Sequence, residues 1–348
     1  MNTAHSAHSV SDRPARLPLV SVVVIGRNEG ERLVRCLESI AAMETNDFAV
    51  ETLYVDSAST DGSPQRAAAS GARVIEVRPQ RPSAALGRNA GWRATSADFV
   101  LFLDGDTQLH PLFVRRALEA MRDPAVAVVW GHRREAHPEQ SIYVRALDLD
   151  WIYPPGPGEF CGGDALMRRD VLEQVGGFDA SLIAGEEPEL CRRIRAQGYS
   201  ILHIDAPMTL HDLAITRFSA YWKRACRAGH AYAEVAARFR DSEDQLWLRD
   251  ARRNLIHGSA LLAAPLLLAA SVFWPWLFVA LAGAGLALFG RTLRRCAWKA
   301  ESRTTRLLYA LHSHFQQIPI LAGQVGYFFD ARAGRRRQLI EYKSVKTG

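Results

Sequence analysis

The chain has no Cys-x-x-Cys pair. Its five cysteines, Cys36, Cys161, Cys191, Cys226 and Cys296, are odd in number and widely scattered. That excludes a disulfide framework and a structural zinc site, and points to reduced thiols in a cytosolic compartment. Neither G-x-G-x-x-G nor G-x-x-x-x-G-K-[ST] occurs, so the usual dinucleotide and P-loop readings have no support. Residues 1–17 lack an apolar core and read as a flexible leader, not a secretory signal. The main body also lacks an excess of positive charge. Of the +6 net charge over 348 residues, the segment from Arg291 to Gly348 holds 12 Lys/Arg against 3 Asp/Glu, leaving 31 against 34 elsewhere. A mildly acidic body with a basic tail argues against a nucleic-acid partner and for a tail near an anionic surface.

Charge is missing altogether between Arg253 and Arg291. As one helix the 36 residues from Leu255 to Gly290 would run ~54 Å, against a hydrocarbon core of ~30 Å. Two short spans, roughly 256–272 and 276–291, fit better, broken at Trp274-Pro275-Trp276. The small-residue face Ala282, Gly283, Gly285, Gly290 suits helix packing in lipid. Arginines flank both ends, so both ends are expected on the cytoplasmic side. The uncharged segment 307–329 carries two histidines, three glutamines and Pro319, and reads as an in-plane helix.

The soluble part alternates strands and helices. Leu19 to Ile25 is a β-branched run suited to a strand buried on both faces, and Leu33, Val34, Leu37 and Ile40 recur at helical spacing. Further strands are expected over Glu51 to Val55, Arg73 to Val77 and Phe99 to Leu103, giving a mainly parallel sheet with polar loops at the strand C-termini.

Those loops hold Asn28-Glu29, then Asp56-Ser57-x-Ser59-x-Asp61-Gly62-Ser63, then Arg88-Asn89-Ala90-Gly91 and Asp104-Gly105-Asp106. Cys161-Gly162-Gly163, Gly176-Gly177-Phe178-Asp179 and Gly185-Glu186-Glu187-Pro188-Glu189-Leu190 follow. Seven motifs in this order, over about residues 18 to 215, resemble the family 2 glycosyltransferases of the GT-A fold. The resemblance implies a Rossmann-like nucleotide-sugar domain over 18–215. An amphipathic connector over 216–253, a transmembrane hairpin over 254–291 and a basic cytoplasmic tail with its interfacial helix over 292–348 complete the expected organisation.

The chemistry asks for these residue types. A leaving nucleoside diphosphate needs its charge neutralised, which a hard divalent cation on oxygen ligands does. By resemblance Asp106 meets the metal, Mg²⁺ or Mn²⁺, with His211 as a further ligand, while Asp104 faces the ribose. Asn28, Glu29, Asp56, Asp61 and Arg88 fall on the nucleotide-sugar side, with Asp56 accepting from a uracil N–H, so a UDP-sugar is favoured. Gly162, Gly163 and Asp164 form a loop beside the transferred sugar or acceptor. An inverting transfer needs a carboxylate to take the acceptor's proton. The family mostly places Glu-Asp where this chain has Glu186-Glu187; Glu187 is expected to be the base, with Glu186 beside it. Processive synthases carry Q-x-x-R-W after this domain; here only Tyr221-Trp222-Lys223-Arg224 is found.

The expected function is therefore transfer of one sugar to a lipid-linked or glycan acceptor at the cytoplasmic face of the inner membrane, in cell-surface polysaccharide or glycolipid synthesis. A non-catalytic nucleotide-sugar-binding scaffold is the alternative, and a soluble nucleotidyltransferase a third. The hairpin is testable by topology reporters: a fusion after Gly348 should report cytoplasmic, and one after Trp274 external. An external C-terminus would mean that 307–329 spans.

Overall fold

The computed structural model describes residues 16–335. Most of the leader expected over 1–17 and the final basic cluster beyond Arg335 lie outside the described residues.

The first half builds the parallel part of the sheet: β1 (Leu19–Gly26), α1 (Glu31–Ala41), β2 (Ala49–Asp56), α2 (Ser63–Ala69), β3 (Arg73–Glu76), α3 (Ala84–Arg93) and β4 (Phe99–Asp104). Val20, Val22, Val23 and Val24 of β1 are all fully buried, as a continuous apolar run in a central strand requires. On α1 the buried positions Leu33, Cys36, Leu37 and Ile40 fall three and four apart, on one face. Then come β5 (Thr107–Leu109), α4 (Phe113–Ala120), β6 (Val126–Glu135), α5 (Ile142–Asp148), β7 (Gly156–Gly158), β8 (Ala165–Arg168), α6 (Arg169–Val175), α7 (Glu186–Ala196) and β9 (Ser200–His211).

The sheet runs β3-β2-β1-β4-β8-β6-β9-β5, with β7 on β9. Strands β3, β2, β1 and β4 are parallel, as expected. The rest is mixed and departs from the mainly parallel expectation: β8 runs antiparallel to both β4 and β6, and β5 and β7 antiparallel to β9. The reversals have a structural consequence. Because β8 is antiparallel to β4, with Ala165 opposite Phe102, the start of β8 meets the end of β4. Likewise Thr107 of β5 lies opposite His211, the last residue of β9. Loops from distant parts of the chain thus converge on one edge.

Five helices follow: α8 (Phe218–Arg238), α9 (Leu248–Ala270), α10 (Pro275–Arg295), α11 (Arg303–Phe315) and α12 (Gln317–Arg332). Helices α9 and α10 are long and apolar enough to cross a membrane. The break between them falls at Trp274, and Pro275 opens α10, where a missing N–H costs no helix bond. Both helices run past the expected span limits, α9 starting at Leu248 and α10 ending at Arg295. None of α10 is buried, and a side chain added at Gly283, Gly285 or Gly290 would meet nothing, so the small-residue face has no neighbour among the described residues.

The segment 307–329 is two helices, not one, broken at Gln316. Helix α12 crosses α8 where Gly229 abuts the carbonyl of Ile320 and Gly323 that of Cys226. Gln324 Nε2 donates to the Ala251 carbonyl on α9 at 2.9 Å. Helix α11 is tied to the segment just after α5: Tyr309 hydroxyl donates to Asp150 at 3.0 Å, and Lys299 Nζ, just before it, to the Leu149 carbonyl at 2.8 Å. Backbones this close at the α8–α12 crossing tolerate no Cβ. Gly323→Leu should lower stability by about 1–3 kcal/mol, read as an earlier thermal midpoint. Gly283→Leu, on the open face of α10, should leave the midpoint unchanged.

Candidate active site

Where the strand ends converge, the loops and α7 enclose a cavity of about 720 Å³. Of the expected site residues, Asn28, Glu29, Arg88, Asp104, Asp106, Gly162, Gly163, Asp164, Glu186, Glu187 and His211 all line it. Asp56 and Asp61 do not. Asp56 is buried, with its carboxylate accepting from Tyr54 hydroxyl at 2.9 Å and Ser59 N–H at 2.7 Å. Asp61 accepts from the backbone and hydroxyl of Ser63 at 3.0 and 2.7 Å, bracing the start of α2. Asn28, at a positive φ of 56°, accepts from Thr60 N–H at 2.8 Å, and Glu29 pairs with Arg32 at 2.9 Å.

Arg88 is at the centre. Its Nη2 reaches Asp104 Oδ1 and its Nη1 reaches Glu186 Oε1, each at 2.9 Å. Next to it Asn89 faces the other way. It donates to the Phe178 carbonyl at 2.8 Å and accepts from the Phe178 N–H at 3.0 Å, fixing the Gly-Gly-Phe segment ahead of α7. Gly163 leaves the space Arg88 uses: a Cβ there would sit 2.7 Å from Arg88 Nη2 and 3.1 Å from Asp104 Oδ2. Asp164 Oδ1 accepts from the Asp104 N–H at 3.0 Å, the contact that the antiparallel β8 creates. Burial raises the Asp164 carboxyl, against the pull of Arg133, whose Nη1 lies 3.7 Å away.

Asp106 and His211 meet at 3.3 Å, Oδ2 to Nε2, and the other imidazole nitrogen is 2.8 Å from Glu135 Oε1. Burial alone would lower His211, but Asp106 and Glu135 outweigh it and hold the imidazole up at about 9. Asp106 and His211, with the Glu135 carboxylate fixing the ring and Asp104 paired with Arg88 at the other end of the turn, offer the hard oxygen and nitrogen donors that a divalent cation takes. The residues present therefore fit a divalent cation.

On the opposite wall Gly185, with a positive φ of 87°, starts α7 and sends two carboxylates to different places. Glu186 is committed to Arg88. Glu187 Oε1 accepts from the Cys161 N–H at 2.7 Å and from Cys191 Sγ at 3.4 Å. Burial, helped by the charge of Glu186, pushes the Glu187 carboxyl up to about 7. Cys161 and Cys191 lie 3.7 Å apart beneath it, and burial raises both thiols, keeping them protonated as donors.

Sequence reasoning did not single out Arg133, Glu135, Trp151 or Arg227. Arg133 and Glu135 are two apart near the end of β6 and so face the same side, and a charged end on an otherwise buried strand is the signal that marks them. Arg133 stacks over the Trp151 ring at 4.3 Å. Nothing local marks Trp151.

The sequence profile described as Glycosyl transferase family 2 matches residues 21–176, and that of Glycosyl transferase family group 2 matches residues 99–298. The chain is similar to the glycosyltransferase AglE of Haloferax volcanii, 26% identical over 230 residues, which are 63% of this chain and 74% of that protein. It is also similar to the succinoglycan biosynthesis protein ExoM of Rhizobium meliloti, 27% identical over 253 residues, 67% and 81% of the two chains. In fold it resembles the mannosyltransferase PcManGT from Pyrobaculum calidifontis, solved with GDP-Man and Mn²⁺. That likeness has a TM-score of 0.64 at 21% identity, covering 93% of this chain and 91% of that one.

The Arg88 pairing makes a direct test. Arg88→Met leaves two carboxylates facing each other without their shared cation. Stability should fall by about 3 kcal/mol, the lower end for a broken buried pair, since the Asp104 side chain stays 32% exposed. Urea unfolding of the variant against the parent measures it.

Proposed function

The chain belongs to the family 2 glycosyltransferases and transfers a sugar from a nucleotide-sugar donor, and we propose that it is a metal-dependent, inverting, membrane-anchored member acting on a lipid-linked or glycan acceptor at the cytoplasmic face. The observation that carries this reading is the separation of two carboxylate environments across one cavity. On one wall Asp106 meets His211, the pair that would hold a cation, with Asp104 alongside on Arg88; on the other Glu187 is shifted into the range of a general base.

The roles follow from the geometry. Asp106 and His211, with Asp104 alongside, would hold a Mg²⁺ or Mn²⁺ ion, which supplies the charge that neutralises a departing diphosphate. Gly162 and Gly163 let the donor sugar approach the wall. Glu187 accepts the proton of the acceptor hydroxyl as that oxygen bonds to the anomeric carbon and the bond to the nucleoside diphosphate breaks. Glu186 is tied to Arg88 at 2.9 Å, which leaves Glu187 as the carboxylate open to the acceptor's proton. The Asp56 carboxylate, taken up by Tyr54 and Ser59, gives a uridine donor no support from the cavity wall; donor identity is read by comparing UDP-sugars with GDP-mannose. The exposed apolar faces of α9 and α10 support membrane anchoring. The similarity to a succinoglycan biosynthesis protein supports a place in cell-surface glycan assembly.

Glu187 as base requires its carboxylate form, so kcat/KM should rise through about pH 7 and then level off. Glu187→Gln should remove that rise together with about 10²–10⁴-fold of the rate. The same shift has a stability consequence of known sign. Between about 4.5 and 7 the folded state holds a proton that the unfolded chain has lost, so stability falls as pH increases across that window. Glu187→Gln, inactive, should therefore melt higher than the parent at pH 8 and equally at pH 4. Full transfer activity in both Asp106→Ala and Glu187→Gln would sink the assignment.

A further inference from the structure

Beneath the proposed base lies a second group of metal-ligating side chains, unlike the first. Cys161, from the loop between β7 and β8, and Cys191 of α7 are 30 residues apart in the chain, so no local spacing announces them. Their sulfurs stand 3.7 Å apart, and Glu187 Oε1 is 3.4 Å from Cys191 Sγ. All three ligand atoms lie within 4.8 Å of one another. Glu187 and Cys191 are four apart on α7 and so share a face, while the Cys161 N–H holds the Glu187 carboxylate toward the thiols at 2.7 Å.

The edges of this triangle have the dimensions of a coordination sphere. A zinc-like cation about 2.3 Å from each sulfur and about 2.1 Å from a carboxylate oxygen, at tetrahedral angles, sets the sulfurs about 3.8 Å apart and sulfur and oxygen about 3.6 Å apart. The two measured edges, 3.7 and 3.4 Å, fall within about 0.2 Å of these values. Joining the sulfurs directly would instead require them to close to about 2.0 Å.

Charge and access fit as well. A divalent cation replaces two thiol protons, which leave to solvent, so with Glu187 ionised the net charge of the cluster is the same before and after. Glu186, held on Arg88, is not drawn in. Cys161 and Glu187 line the active-site cavity, which gives a cation its way in and leaves its fourth position to water. The donor types also separate this cluster from Asp106 and His211, because thiolates select zinc-like cations whereas Mg²⁺ and Mn²⁺ favour oxygen. We infer that Cys161, Cys191 and Glu187 form a site for a thiophilic divalent cation of the zinc group, and that the bound cation takes the oxygen through which Glu187 would accept the acceptor's proton. The second half rests on the glycosyltransferase reading and makes the cation an inhibitor of transfer; the first half does not depend on it.

The test uses the full chain in detergent, reduced and freed of zinc, with Mn²⁺ saturating and Cd²⁺ as probe, followed by thiolate-to-metal charge-transfer absorption. The expected result is saturable binding of a single Cd²⁺. It should weaken at least tenfold in Cys161→Ser/Cys191→Ser and in Glu187→Gln, which keeps both thiols. It should stay within threefold in Asp106→Ala and in Cys226→Ser/Cys296→Ser, whose thiols lie outside the cavity lining. Zn²⁺ should inhibit sugar transfer, at least tenfold less potently in the double-serine variant, whose hydroxyls keep a hydrogen-bond donor beside Glu187. Equal Cd²⁺ affinity in the double-serine variant or in Glu187→Gln overturns the inference. No band in the parent overturns it outright, including the case in which thiol titration finds the pair joined as a disulfide. Zn²⁺ inhibition that is undiminished in the double-serine variant, or reversed by further Mn²⁺, would place the effect at Asp106 and overturn it too. Thermal stabilisation by UDP and Mn²⁺ is recorded on every variant, and its retention shows an intact fold. A parent that binds Cd²⁺ but transfers no sugar from any nucleotide-sugar would count against the glycosyltransferase reading, while the band and its loss in Glu187→Gln decide the site.

Discussion

One guanidinium holds the two halves of the active site in register. Arg88 bonds Asp104 of the β4 end with one nitrogen and Glu186 of α7 with another, both at 2.9 Å. These residues are far apart in the chain, and the second belongs to the wall that carries the proposed base. Buried, charge-assisted and directional, the two bonds set the spacing between the Asp104-Gly105-Asp106 turn and the start of α7, because a planar fork has little freedom to shift either partner alone. The rest of the site is arranged around them. Gly163 has no side chain because one would occupy the space of the arginine, and the neighbouring Asn89 holds the Gly-Gly-Phe segment that leads to α7.

That arrangement explains why Glu186 and Glu187 are adjacent yet chemically unlike. Glu186 has a cation within bonding distance, whereas Glu187 faces a backbone N–H and a thiol in a region that burial makes hostile to charge. The family's usual Glu-Asp differs by one methylene. Here the longer second side chain finds its rest position against Cys161 and Cys191, two thiols kept protonated by their own burial.

Much of this was legible in the sequence. The parallel half of the sheet followed from β-branched runs and helical spacing, and the motif order gave the fold, the family and the enzyme class. What could not be read was set by pairing direction. Strand β8 is only four residues long, so no periodicity marks its reversal, yet its antiparallel register brings Asp164 to Asp104. The same holds for Glu135, whose contact with His211 depends on β6 and β9 being neighbours. Asp56 and Asp61 show the opposite case: the motif is where it was expected, but the carboxylates brace the loop and do not reach the cavity wall. In the tail, the charge-free run and Pro275 located two helices. Their continuation into the folded body, and the break at Gln316, were decided by packing of α12 on α8 through Gly229 and Gly323.

This packing connects the anchor to the chemistry. Helix α8 contributes one face to the catalytic cavity through Arg224, Arg227 and Ala231, and meets α12 at Gly229. Helix α11 in turn reaches Asp150, next to the Trp151 that Arg133 and Arg224 both approach. A segment held only by a flexible linker would leave the α8 end of the cavity undefined. Here two glycine-mediated backbone contacts and the half-buried Asp150 carboxylate fix that wall, so the helices that would meet the bilayer also shape this end of the cavity. The apolar tail and the catalytic body are then one receptor, whose polar end receives a nucleotide-sugar and whose other end opens at the foot of the first candidate span.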